Sequence, residues 1–219
     1  MTFPAKADAL LAAWERVTGQ PPPCRSAVLL CLAQAQLETR CGDAWPGCHN
    51  WGATDYRSLR LGELTDYQGG TLVAGHWLHA DGSHGADRRP GDVAQMHLDT
   101  HPGGGSYPMW FAAFDDDTSG AAYYLRIVLR MAGEVLASPL ATSSDLATAL
   151  YLHGYYEGVH PGARPYTART LPLTAPELAN VADYARGLDR CRASIEPALT
   201  DWTGVVDVPP TDPMPAAGS

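Results

Sequence analysis

Glu38 is the residue whose type and position carry the most chemistry. It follows an unbroken apolar run, Ala27-Val28-Leu29-Leu30-Cys31-Leu32-Ala33, and lies about three helical turns beyond Ala27. On a helix it shares a face with Ala27, Cys31 and Gln34, close to a C-terminal stop at Gly42. A carboxylate in that position loses hydration and meets the negative end of the helix dipole. Both effects disfavour its charged form, which is the property a general acid needs. The bland alternative is a Glu that reaches solvent or pairs with Arg40. Trp45, Asn50 and Trp51, with Gly52 after them, come just beyond this helix, and flat aromatic faces beside amides are suited to holding sugar rings in a cleft.

A second set of chemistry-bearing residues follows. His76, His79 and His84 with Asp81 and Asp87, and the run His97-x-Asp99-x-His101, have spacings that suit zinc. A zinc-dependent cell-wall hydrolase or peptidase using these histidines is therefore the rival enzyme reading. It lacks an H-E-x-x-H motif, and alternation along a strand places His97, Asp99 and His101 on one face without any metal. Asp115-Asp116-Asp117 lacks the spacing of a calcium loop and reads as the N-cap of the next helix. Cys41 and Cys48 are close enough in sequence to close a short loop, but five cysteines are an odd set, and nothing in the sequence marks direct secretory export, so reduced thiols are expected.

The elements that must position these groups are legible from periodicity. Leu10, Leu11, Trp14 and Val17 give an amphipathic helix over residues 5 to 18, stopped by Gly19 and Pro21-Pro22-Pro23. A second helix starts near Ser26, and its apolar surface all round predicts a central helix packed by other elements. From Asn50 to Phe114 the texture changes to Gly, Asp, His and aromatic residues. Val93 to Asp99 and Tyr107 to Phe111 alternate around the Gly103-Gly104-Gly105 turn as a hairpin. Helical spacing returns over Ala121 to Val135 and Asp145 to His153. It returns again from the capping box Thr174-x-x-Glu177 to Ile195. The expected architecture is one α+β unit over residues 1–202, mainly helical, with a small β lobe at about 50–114 inserted after the central helix. The Pro-, Ala- and Asp-rich tail at 203–219 is expected to be disordered.

With those elements in place, the chain resembles a known family. Leu32-Ala33-Gln34-Ala35-Gln36-Leu37-Glu38-Thr39, a short loop and Asn50-Trp51-Gly52-Ala53 resemble the helix, Glu, loop and "N-hydrophobic-G" signature of flagellar-type endo-β-N-acetylglucosaminidase domains. These are a branch of the lysozyme-like superfamily that cleaves peptidoglycan glycan strands. Trp110-Phe111-Ala112-Ala113-Phe114-Asp115, leading into Tyr123-Tyr124-Leu125, is similar to that family's "F-x-x-Y-D" strand end and following helix. Leu150 to Leu171, with Gly154-Tyr155 and Tyr166, is similar to its "G-Y-A-T-D-P-x-Y" segment. The likeness runs in order over residues 26 to 172.

The resemblance implies a lysozyme-like fold, Glu38 as the catalytic acid and no cofactor. It also implies a second carboxylate on the hairpin, a place that Asp99 occupies when counted back from Phe111; the alternative is an Asp that caps the glycine turn. Tyr155 matches the family's cleft tyrosine, one position before Tyr156, and Trp45, Asn50, Trp51, Tyr156 and Tyr166 would line the subsites. The sequence departs from the pattern in having Asp where Glu is usual and Tyr156-Glu157-Gly158-Val159-His160-Pro161 in place of "A-T-D-P". It also carries an extra segment around His76 to Pro90. A module that keeps the cleft but only binds glycan is the non-enzymatic alternative.

Composition limits the partners. With 45% hydrophobic and 18% charged residues the 219-residue chain has the make-up of a globular protein. Fifteen basic against 24 acidic side chains leave a net charge of −9 with no Lys/Arg cluster, which argues against nucleic acid. No apolar run approaches the ~18 residues that span a bilayer, and the first residues do not read as a signal peptide. Synthesis in the cytoplasm followed by delivery to the wall or periplasm is the expectation. That route suits a phage lysin or an antibacterial effector, with a phage or secretion carrier and an immunity protein as partners.

Overall fold

The computed structural model describes residues 2–56, 75–79, 81, 83–100 and 106–205, with the side chains of 98–100 and 106–108 outside that description. Among the described residues the chain is α+β, about half helical, with five α-helices and one four-stranded antiparallel sheet. The helices are α1 (Phe3–Thr18), α2 (Arg25–Thr39), α3 (Asp117–Leu136), α4 (Ser143–Leu152) and α5 (Ala175–Ile195). The strands are β1 (Trp77–Leu78), β2 (His84–Gly85), β3 (Ala94–Thr100) and β4 (Ser106–Ala112), in the order β2-β1-β3-β4.

The apolar run that predicts a central helix has the burial it requires. Every residue from Ala27 to Ala35 is buried, so α2 is covered on all sides. It shares one core with Leu10 and Trp14 of α1, Tyr124, Leu125 and Val128 of α3, Leu146 and Leu150 of α4, and Val181 and Leu188 of α5. Each fully buried aliphatic side chain contributes about 1.5–3 kcal/mol through removal of apolar surface from water. α1 ends where expected, at a left-handed Gly19. α2 ends at Thr39, three residues before the expected glycine. Arg40 is the left-handed cap (φ 54°), and the Cys41 N–H reaches back to the Ala35 carbonyl, so the chain turns before Gly42. The capping box at Thr174 and Glu177 opens α5 as the sequence suggests.

The β lobe is built on the hairpin. β3 and β4 pair in antiparallel register from Ala94 opposite Ala112 to Thr100 opposite Ser106, which sets Asp99 opposite Tyr107. The glycine turn at 103–105 lies outside the described residues, as does the tail from 206 onward. The lobe has its own small core of Tyr56, Leu78 and Ala94, with Val93 and Trp110 against it. No helix among the described residues is long and apolar enough to cross a membrane.

Candidate active site

Glu38 lies in the last turn of α2, half-buried, where α5 crosses close by. Gly187 permits that approach: a Cβ there would stand 3.1–3.2 Å from the two methyl carbons of Leu37, the neighbour of Glu38. One turn before Gly187 on α5, the Tyr184 hydroxyl donates to Glu38 Oε1 at 2.5 Å, the length of a charge-assisted O–H···O bond. Gln34, one turn before Glu38 on its own helix, donates from Nε2 to the Tyr184 hydroxyl at 3.2 Å. The ring of Tyr184 stacks on that of Tyr156 at 4.0 Å and 7°. Burial raises the pKa of Glu38 above the ordinary carboxylate value, against the opposing hydrogen bonds of Tyr184 and Gln34. A carboxyl with raised proton affinity, held by oriented donors, is equipped to deliver a proton.

The loop after α4 supplies two more phenols. Tyr155 donates to the Gly52 carbonyl at 3.2 Å, and Tyr156 donates to the Ala147 carbonyl at 3.0 Å. Burial, and for Tyr155 also the nearby Glu38 carboxylate, push both phenols well above their usual range, so they stay neutral. Arg169 clamps this loop: its guanidinium donates to the carbonyls of Tyr151, Tyr156 and Glu157 and lies 3.9 Å from the Tyr151 ring centre. Gly158 takes a left-handed φ of 79°, and a Cβ there would collide with the Asn180 side chain at 2.2–2.6 Å. That side chain accepts from the Val159 and His160 N–H groups at 2.9 Å each. Tyr166 is exposed, with its ring over Gly154, and is the most open of the aromatics expected to meet sugar.

Two expected subsite residues lie elsewhere. Trp51 is 0% exposed and Asn50 is 1% exposed, so neither offers a face to a ligand. Asn50 holds its own loop instead. Its amide donates to the Thr54 and Ala112 carbonyls at 2.8 and 3.0 Å and accepts from the Thr54 N–H at 3.0 Å, which ties the loop after α2 to β4. Trp51 packs at 6.4 Å on Tyr124 and donates from Nε1 to Asp117. The asparagine, tryptophan and glycine of this motif thus serve the architecture that brings Gly52 under Tyr155. Trp45 is half-buried and stacks at 4.1 Å on Phe111 and 5.2 Å on His97, which places it against the β lobe.

Along β3, the alternation puts Gln95 and His97 on one face, where His97 Nε2 bonds the side-chain oxygen Oε1 of Gln95 at 2.8 Å. Gln95 is 7% exposed, so this polar face is turned inward at its start; burial lowers the His97 pKa and favours the neutral ring. The side chain of Asp99 lies outside the described residues, and its backbone sits opposite Tyr107, one pair from the turn end of the hairpin.

The residues behind the zinc reading separate into different pairs. His76 and His84 face each other with 3.3 Å between their Nδ1 atoms, while His79 is on the opposite side of β1 and bonds Asp92 at 2.7 Å. Asp81 caps Ser83, and His101 lies outside the described residues. Among the described residues no three His, Cys, Asp or Glu side chains converge as metal ligands. All five cysteines are free thiols, and burial pushes Cys31, Cys41 and Cys48 up to about 12. In the Asp115–Asp117 run, Asp116 is the N-cap of α3, accepting from Ser119 N–H.

No protein family model matches the chain, and no curated protein or solved structure matches it. Tyr184 is the site residue that the sequence reading missed. Its signal is a polar atom within the apolar stripe Val181, Tyr184, Ala185 and Leu188 of α5, a stripe otherwise explained by the core.

Proposed function

We propose that this chain is a glycoside hydrolase of lysozyme-like fold that cleaves the glycan strands of bacterial peptidoglycan, with Glu38 as general acid. The observation that carries the reading is the Glu38 carboxyl itself: half-buried at the end of a central helix, bonded by the Tyr184 hydroxyl and raised in proton affinity by its burial. The sequence resemblance over residues 26 to 172 supports the same assignment. Glu38 protonates the glycosidic oxygen as the bond to the sugar breaks. Asp99 on the hairpin is the candidate for the second group, stabilising the oxocarbenium-like charge, activating a water on the opposite face, or acting through the substrate's own N-acetyl group. Tyr155, Tyr156, Tyr166 and Trp45 are the aromatics left to meet the glycan. No metal or cofactor takes part in this scheme.

A chain with a net charge of −9 gains nothing from electrostatic attraction to acidic wall polymers. Delivery by a carrier therefore fits better than adsorption from outside, as for a phage lysin or an antibacterial effector with its immunity protein. The test is digestion of purified peptidoglycan followed by reduction and mass analysis of the products. New reducing ends at N-acetylglucosamine or N-acetylmuramic acid support the reading, and released peptides with intact glycan refute it.

A further inference from the structure

The bonds around Glu38 have a fixed direction. A phenol carries one proton, and the Tyr184 proton is spent on Glu38 Oε1 at 2.5 Å. The contact of Gln34 with the Tyr184 oxygen must therefore be made by an amide N–H, and Nε2 is the atom found there, at 3.2 Å. The relay runs one way, from Gln34 through Tyr184 to Glu38. Tyr184 is further held by its parallel stack on Tyr156, whose own hydroxyl is spent on Ala147. Gln34 is 0% exposed, so water does not compete for this donor.

We propose, resting on the glycosidase reading, that Tyr184 held by Gln34 is a positioning residue that occupies Oε1 of Glu38, so that Oε2 is the oxygen that carries the transferable proton. The two carboxyl oxygens are thereby made unequal before any ligand arrives. As the proton leaves Oε2, negative charge develops on the carboxylate, and the Tyr184 bond strengthens with it, which favours the transfer. Among the described residues, the groups that act on this carboxyl are Tyr184 from α5, Gln34 from α2 and Tyr155 from the loop after α4. None of them carries a charge, so hydrogen bonds rather than ion pairing oppose the effect of burial on this carboxyl.

Tyr184→Phe tests this, because it keeps the ring and its stack while removing the donor. The full chain is labelled with carbon-13 glutamate, the Glu38 signal is assigned by its loss in Glu38→Gln, and both proteins are titrated. The phenol favours the ionised carboxylate, so its removal raises the Glu38 midpoint by about one to two pH units. Gln34→Met raises it by less, and it serves as the second variant if Tyr184→Phe does not fold. On peptidoglycan, the basic limb of the kcat/KM profile moves upward by the same interval with KM unchanged. An unmoved Glu38 midpoint in the folded variants overturns the relay. A moved midpoint in a protein that leaves glycan intact supports the relay and refutes the glycosidase reading.

Discussion

Lys6 Nζ stands 3.0 Å from both carboxylate oxygens of Asp117, a residue 111 positions away, with the two side chains 2% and 6% exposed. The same ammonium donates to the Cys41 carbonyl and to Asp43, and Asp117 also accepts from His49 and Trp51. One buried charge network therefore ties α1, the turn after α2 and the start of α3 together. Removing one partner strands the other in a medium of low polarity. Lys6→Met should destabilise the protein by about 3–5 kcal/mol in chemical denaturation, and Lys6→Met with Asp117→Asn should recover part of that loss. A cost below about 1 kcal/mol for the single change would show the network to be solvated.

The Arg164–Glu177 pair, which joins the segment after α4 to the start of α5, has a pH signature. Glu177 accepts from Arg164 Nε and Nη2 at 2.7 Å each and from the Thr174 N–H, and these bonds hold its carboxyl down to about 2 from an ordinary value of 4.5. A depressed folded-state pKa gives stability that is present above the unfolded value and lost as pH falls through the folded one. Wild-type protein should lose stability more steeply than Glu177→Gln between pH 4.5 and about 2. Denaturant midpoints across that interval measure the difference, and equal slopes would count against the Arg164–Glu177 pair.

The sequence carried the helices more fully than the site. α2 is legible because a run that is apolar on every side has only one comfortable place, and α5 because Thr174 and Glu177 announce its start. The hairpin is legible because period-two alternation fixes both strands. The roles of Trp51 and Asn50 were not legible. An aromatic and an amide beside a candidate acid look the same in sequence whether they face a ligand or close a buried loop, and only the three bonds of Asn50 and the full burial of Trp51 separate the cases. The contact of Tyr184 with Glu38 spans 146 positions and depends on how closely α5 packs on α2, which no local pattern encodes.

Glu38 should cost stability in exchange for its chemistry. Its folded-state pKa is raised by burial, so the folded protein binds the proton more tightly than the unfolded chain. Stability is then greatest below the unfolded value of 4.5 and declines as pH rises through the folded one. Glu38→Gln, which is neutral at every pH, should melt higher than wild type at pH 7.5, and the gap should close near pH 4. Calorimetry at the two pH values decides this, and a variant that melts lower at pH 7.5 would place a stabilising charge at Glu38 instead.

The most direct measurement of the central claim is the rate at which Glu38→Gln releases reducing ends from purified peptidoglycan, beside wild type under the same conditions. Glutamine keeps the size and accepts the Tyr184 hydrogen bond, but it has no proton to give. The variant should fold, as judged by circular dichroism, and lose at least about a hundredfold in rate. A folded variant that cleaves glycan at the wild-type rate would contradict the assignment of Glu38 as the general acid.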